Sequence, residues 1–249
     1  MPEMRGLDLD KLNRQMCCHC LLLEMDNSLA LVDTGVSKDF VQNSFRRFLF
    51  KTEGNPLRTA LSEVNRLGFN PRDVEHIFVT HLDHDHVGGL ADFPWANVYL
   101  HLKELDFLKR VNESTKFRLR FQSQLWKDSQ IKCLGDSGDS WFGFDSVKMP
   151  LIFSDHVLAI PLFGHTAGHS GLAIKNEDKW LLHAGDSFYF NDDLNINMSE
   201  RSVLSEALAT FMAVDQKQRI SNLDRIRVLN SKHKECRIIN SHDPYFLGI

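Results

Sequence analysis

The chain has 249 residues, 43% hydrophobic and 25% charged, a composition that excludes wholesale disorder and leaves room for a substantial core. A formal net charge of −4 gives no electrostatic reason for a nucleic-acid or anionic-membrane partner, and no run reaches the ~20 apolar residues of a membrane helix. The opening MPEMRGLDLDK lacks the basic-then-apolar order of a secretion signal, so a cytoplasmic protein is expected.

In chain order, residues 16–24 and 28–32 read as a hairpin of two strands turned at Asp26-Asn27-Ser28, and Asp33-Thr34-Gly35 ends the second strand. Cys17, Cys18 and Cys20 surround His19 at the start of the first strand. Alternate strand residues face opposite sides, so these four cannot converge on one ion, and the thiols are expected in the core. Five cysteines, an odd number, suggest no disulfide framework. A helix over 37–50 is predicted from the Ser37-Lys38-Asp39 cap and from Phe40, Val41 and Phe45 on one side. A second is predicted over 57–67, where Leu57, Leu61, Val64 and Leu67 keep helical spacing before Gly68. Strand 74–80 then delivers the densest polar segment of the chain.

That segment, THLDHDHVGG at 80–89, holds His81, Asp83, His84, Asp85 and His86 in six positions. The bland alternative is a solvated polar turn. Carboxylates and imidazoles packed this closely are better explained by a shared divalent cation, which relieves both their repulsion and their desolvation. A short helix closed by Pro94 follows, then a strand over 97–102 and a helix over 103–110. Between 111 and 145 periodicity is lost, and an irregular stretch of this length suggests a lid or insertion, with Phe117, Phe121 and Trp126 pinning it to the body. Strands are predicted over 148–153, 157–162, 171–175, 180–183 and 237–240. Helices are predicted over 199–212, with Leu204, Leu208 and Phe211 on its buried face, and over 215–229. No linker divides the chain, so 1–249 is expected to be one domain.

Polar loops at four separated strand ends carry His or Asp: 81–86, His165, Asp186 and His242. In this order, with Asp33-Thr34-Gly35 upstream, the pattern resembles the metallo-β-lactamase fold hydrolases over nearly the whole chain. In layout it is most similar to the N-acyl-homoserine lactonase branch. The resemblance implies an α/β protein, a four-layer αβ/βα sandwich with a dinuclear metal centre. Carried over by position, His81, Asp83 and His165 would hold the first ion, Asp85, His86 and His242 the second, and Asp186 would bridge them. Asp83 departs from the family's His-x-His-x-Asp-His motif, which has histidine there. The hard oxygen donor shifts preference from zinc, the expected metal, towards iron or manganese, or weakens the first site. His84 is read as a spacer, and His169 and Asp33 as supports for the ligands. Asp243 is read as a turn cap or an outer partner of His242.

The implied function is a hydrolase that uses a metal-bound hydroxide on a carboxylic ester or lactone, with Asp85 orienting the nucleophile. Tyr189, three residues after Asp186, matches a tyrosine that reaches the substrate carbonyl in the lactonase branch. The plain alternative is a core aromatic beside Phe188 and Phe190. The aromatic run 141–144 is a candidate acyl-chain pocket. Competing substrates are a thioester, as in glyoxalase II, and a phosphodiester or organophosphate. A non-catalytic, regulatory metal-binding protein is the alternative of another class. The expected partner is a small molecule, and a homodimer is compatible with the sequence.

Overall fold

The computed structural model describes residues 16–25, 28–36, 58–111, 117, 120–135, 138, 140–149, 153, 155–196 and 203–247. The predicted helix at 37–50 and the 26–27 turn lie outside these residues.

Alternation along the strands builds the architecture. In β2 (Ser28–Val32), Leu29 and Leu31 face one side and Ala30 and Val32 the other, and each pair enters a different core. The first sheet runs β1 (Leu21–Met25), β2, β3 (Val74–Phe78), β4 (Asn97–His101) and β5 (Gln130–Leu134), antiparallel at β1/β2 and parallel elsewhere. The second sheet contains β8 (Val147–Lys148), β9 (Val157–Pro161), β10 (Ser170–Asn176), β11 (Lys179–His183) and β12 (Cys236–Ile239), with β11/β12 parallel and the others antiparallel. Ala30, Val32, Phe78 and Tyr99 of the first sheet meet Val157, Ala159 and Leu172 of the second in a shared core. The other face of the first sheet packs on Val64 of α1 (Ala60–Arg66) and on Leu105 and Leu108 of a later helix, α3 (Leu102–Val111). The outer face of the second sheet packs on Leu223, Ile226 and Leu229 of a C-terminal helix, α5 (Gln216–Lys232). The layers are helix, sheet, sheet, helix, as the resemblance implied.

The helices start where side chains can satisfy free N–H groups. Thr59 and Ser62 form a reciprocal box at α1, and Asp215 accepts from Gln218 N–H at α5. The remaining helices are α2 (His84–Val87), α3 (Leu102–Val111) and α4 (Val203–Met212), and a small hairpin pairs β6 (Ser140–Trp141) with β7 (Phe144–Asp145). None of the described helices is long and apolar enough to cross a membrane.

Several local expectations need correcting. The first strand starts at Leu21, and residues 17–19 instead bond to the loop after β12, Cys17 N–H to His242 O and His19 N–H to Ser241 O. The cysteine cluster is therefore not core: Cys18 is exposed, and Cys17 and Cys20 are half-buried. Among the described side chains of α4, Ser205 and Ala209 are buried and Leu208 and Phe211 exposed, Phe211 at 71%; the Leu204 side chain lies outside the described ones. The face that packs passes one position beyond Leu208. The segment 111–145 holds β5 at the sheet edge and the β6–β7 hairpin, and Phe121 joins the first core as expected.

Candidate metal centre

Because β2 and β3 are parallel, and β9, β11 and β12 run in one direction, their C-terminal ends share one edge of the sandwich. Every predicted site residue follows one of those ends. Asp33 is the first fixed point. It takes the left-handed backbone at φ 56°, a conformation aspartate tolerates better than most residues. Its carboxylate accepts from Thr80 N–H and Thr80 Oγ1, each at 2.8 Å, and from His86 Nδ1 at 2.8 Å. The cradle is thus tied to β2, and Thr34 adds a second tie by donating from its backbone N and Oγ1 to His86 O. Gly89 passes so close beneath that a Cβ there would lie 2.6 Å from Thr34 O.

The network fixes the tautomers. His86 Nδ1 donates to Asp33, and His242 Nδ1 donates to Cys17 O at 2.8 Å, which leaves both Nε2 lone pairs facing inward. Thr80 Oγ1 gives its proton to Asp33, so His81 Nδ1 at 3.0 Å must donate to that hydroxyl, and His81 Nε2 also faces inward. Each imidazole is braced on the outer side and presents a lone pair on the inner, the arrangement of a metal-ligating histidine.

The inward atoms form two lobes. In the second lobe, His242 Nε2 is 3.0 Å from Asp186 Oδ2, and His86 Nε2 is 3.3 Å from Asp186 Oδ1. Asp85 Oδ2 lies 3.8 Å from both imidazoles at the more open side. His86 Nε2 and Asp186 Oδ1 are buried without a hydrogen-bond partner. An unpartnered lone pair beside a carboxylate is costly to bury, and a divalent cation satisfies both, so these residues fit a metal. Without one, protons take its place. Burial disfavours a charged His86, but the carboxylates of Asp186, Asp85 and Asp33 outweigh it and raise its pKa well above the ordinary value. His242 is raised in the same way, by Asp186 against burial. Burial also opposes ionisation of Asp186, yet His242, His86 and His165 hold its carboxyl well below the usual range.

The first lobe has the donors of a metal site and a cation already among them. His81, His165 and Asp186 offer ligand atoms within 4.8 Å of one another. Asp83 Oδ2 is 3.1 Å from both His81 Nε2 and His165 Nε2. Here, however, Arg120 grips Asp83 from both sides, Nε to Oδ1 and Nη2 to Oδ2 at 2.6 Å each. Its Nη2 also lies 3.0 Å from His165 Nε2, and Nη1 donates to Met212 O at the end of α4. Burial would raise the pKa of Asp83, but the guanidinium and the two histidines hold it well below the ordinary value. Burial lowers His165 to about 4, so it is neutral and can accept from the guanidinium.

The loops are held from behind. His169 Nδ1 donates to Leu162 O at 2.9 Å and Nε2 accepts from Asp186 N–H at 2.9 Å, so it supports the backbone of Asp186. Gly185, at φ 55°, has no room for a Cβ, which would fall 2.4 Å from His169 Nε2. Tyr189 is 3% exposed and its ring lies 5.4 Å from that of His242, so it is both a core aromatic and a neighbour of the site. Asp193 fixes its backbone by accepting from Tyr189 N–H at 3.1 Å. Asp243 caps the next turn, accepting from Tyr245 N–H and Asn191 N–H.

All seven predicted ligands thus meet at one edge. Two details differ from expectation. Residues 84–87 form a helical turn rather than an extended loop, and His84 Nδ1 lies 3.9 Å from Asp85 Oδ1 without joining either group of clustered ligand atoms. The 141–144 aromatics are not near the site. Trp141 meets Trp180 edge-on at the start of β11, and Phe142 packs at a tilt on His233 beyond α5, whereas Asp186 follows the end of β11. A five-residue strand separates the two by ~16 Å, so the acyl-pocket reading is withdrawn. Sequence reasoning missed Arg120, Thr80 and Glu104. Buried Glu104 accepts from Leu82 N–H at 3.1 Å and Gly168 N–H at 2.8 Å, joining the two histidine loops. An acid inside an otherwise amphipathic helix was its only signal.

A sandwich with paired histidine–carboxylate lobes at one edge defines a metallo-hydrolase type of fold and site. The chain belongs to the metallo-β-lactamase superfamily, whose model matches residues 17–209. It is 33% identical over 236 residues to a Mycobacterium tuberculosis (strain ATCC 25618 / H37Rv) protein described as "Probable metallo-hydrolase", covering 92% of this chain and 75% of that one. It is 24% identical to an N-acyl homoserine lactonase of Bacillus cereus, covering 90% and 80%. Among solved structures, an N-acyl homoserine lactone hydrolase with the product N-hexanoyl-L-homoserine at its catalytic metal center superposes with a TM-score of 0.65 at 20% identity, covering 94% of this chain and 84% of that one. The chain is a metallo-hydrolase of this superfamily and a binder of divalent metal.

Proposed function

We propose that this hydrolase cleaves carboxylic esters or lactones, N-acyl-homoserine lactones among them, at a dinuclear zinc centre. His81, Asp83 and His165 would hold one ion, Asp85, His86 and His242 the other, with Asp186 between. The observation that carries the metal reading is the pair of buried, unpartnered atoms His86 Nε2 and Asp186 Oδ1, one from each half of the chain, 3.3 Å apart. Imidazole nitrogens with few carboxylates suit zinc, and the two acids at 83 and 85 leave iron and manganese as competitors. When bound, such ions polarise a carbonyl and make water ionise near neutral pH.

The chain's own residues do the rest. Asp85, at the open side of the second lobe, is placed to orient an incoming water and take its proton. The Tyr189 phenol, held beside His242 with its pKa raised by burial and by Asp186, Asp83 and Asp85, stays protonated and able to donate to a developing oxyanion. The reading takes 1–249 as one domain with part of the 111–145 segment covering the site, supported by the reach of Arg120 from that segment to Asp83. Metal analysis of freshly purified protein, combined with a panel of lactones, thioesters and phosphodiesters, tests it. Bound zinc with chelator-sensitive lactone turnover supports the proposal. Turnover confined to thioesters or phosphodiesters moves the substrate class, and bound metal without hydrolysis of any substrate favours a regulatory metal-binding protein.

A further inference from the structure

We propose that Arg120 is a resident cation of the first lobe, which a metal ion must displace. Metal then loads the second lobe tightly and the first only weakly. The inference rests on the metal-site reading above and deepens it.

Asp83 Oδ2 lies 3.1 Å from both His81 Nε2 and His165 Nε2, and the Thr80 brace on His81 Nδ1 turns the His81 Nε2 lone pair towards that buried carboxylate. A buried carboxylate facing a lone pair needs a positive centre. The Arg120 guanidinium supplies it. One Nη2 proton goes to Asp83 and the other lies towards the His165 lone pair, the atom a metal would use. The Nε proton takes the second Asp83 oxygen, and Nη1 is anchored to Met212 O. The charge is not a mobile surface one: the Arg120 side chain is 11% exposed and Asp83 4%. A guanidinium matches a carboxylate in this two-pronged geometry and does not deprotonate, so only displacement frees Asp83.

The second lobe shows what is different. No Lys or Arg side chain among the described residues pairs with Asp85, Asp186, His86 or His242, and two of its polar atoms remain unpartnered. Asp83 and Arg120 therefore form one device. The aspartate that departs from the family motif is matched by an arginine that neutralises it. A histidine at 83 would give a guanidinium no such grip.

Competition titration of metal-free protein with Zn2+ against a chromophoric chelator tests this, with wild type, Arg120→Met and Arg120→Lys compared. Wild type is expected to show one tight and one weak zinc. Arg120→Met should tighten the weak class by at least ~10-fold, within the usual range of couplings between bound groups, and leave the tight class unchanged. Arg120→Lys, which keeps the charge and loses the two-pronged grip, should tighten the weak class by less than Arg120→Met does. Two equally tight zincs in wild type, or a weak class that does not respond to Arg120→Met, overturn the proposal. Absence of any tight zinc in wild type would instead defeat the metal-site reading itself. If Arg120→Met fails to fold, anomalous diffraction from wild-type crystals grown with one equivalent of zinc decides: a peak at His86, Asp186 and His242 alone supports the inference, and a peak between His81, Asp83 and His165 refutes it.

Discussion

The two lobes are built from the same chemistry and solved in opposite ways. His81, His86 and His242 are braced on the outer nitrogen and face carboxylates on the inner side, whereas His165 Nδ1 in the first lobe is buried without a partner. In the second lobe the excess of lone pairs is left open, with His86 Nε2 and Asp186 Oδ1 buried and unpaired. In the first it is closed by Arg120, held to Asp83 by two 2.6 Å contacts. A buried constellation of acceptors needs positive charge, and the chain itself supplies it only in the first lobe.

Asp186 is the one residue the lobes share, with Oδ2 3.4 Å from His165 Nε2 and 3.0 Å from His242 Nε2. Asp186→Asn should therefore erase the distinction. We expect loss of bound zinc from both classes and a fall in turnover of more than ~100-fold, beyond the 10–100-fold typical of outer partners of ligands. Elemental analysis and hydrolysis of a lactone check it. Retention of the tight zinc would mean that the second lobe is complete without its bridging carboxylate.

Most of this contrast could be anticipated for the ligands and not for their cation. His81, Asp83, Asp85 and His86 crowd six positions, and His165, Asp186 and His242 each follow an apolar run, so local pattern exposes them. Arg120 sits in a stretch with no periodicity, 37 residues from its partner, and an arginine amid other charges carries no local mark of burial. The resemblance carried by the ligand loops implied the layered fold, and β2 and β10 are each buried on both faces, as its inner strands must be. It could not announce α4, where Ser205 and Ala209 are buried and Phe211 is exposed, since small residues packed closely outweighed the apolar ones. The cysteines failed for a related reason. Residues 17–19 bond to the loop after β12, a pairing between chain ends that local sequence does not reveal.

Asp33→Asn unsettles the bracing of both lobes. Thr80 N–H needs an acceptor at the Oδ1 position, so the amide nitrogen must take the place of Oδ2 and face His86 Nδ1. His86 would then protonate on Nε2 and lose its inward lone pair. Thr80 Oγ1 loses the same acceptor, which frees its proton for His81 Nδ1. The tight zinc class should weaken by about 10–100-fold, the usual effect of an outer partner, and the weak class with it. An unchanged weak class would show that Asp33 acts through His86 alone.

Tyr189→Phe removes one hydroxyl beside His242 and leaves the packing. Lactone turnover should fall by ~10-fold, below the full cost of an oxyanion donor, with both zinc affinities unchanged. An unaltered rate would return Tyr189 to the role of a core aromatic.

The smallest effect is one of pH on metal-free protein, and it reads the lobes independently of turnover. In the second lobe, the pKa of His86 and of His242 is raised above the ordinary 6.5, Asp186 prevailing over burial in each. Imidazoles with raised folded values contribute stability that is complete below about 6.5 and lost as pH rises through the folded values. In the first lobe, Asp83 is held well below 3.8 by Arg120 and the histidines in spite of burial, so its contribution is present above 3.8 and lost only in acid. His165, lowered by burial to about 4, costs stability only as pH falls through about 6.5, so between pH 7 and 9 the first lobe is silent and the second is not. Thermal melts with excess chelator should give a lower melting temperature at pH 9 than at pH 7. Added zinc should remove most of that difference, because the ion replaces the protons on His86 and His242. A difference of the same size with zinc bound would place its origin outside the second lobe.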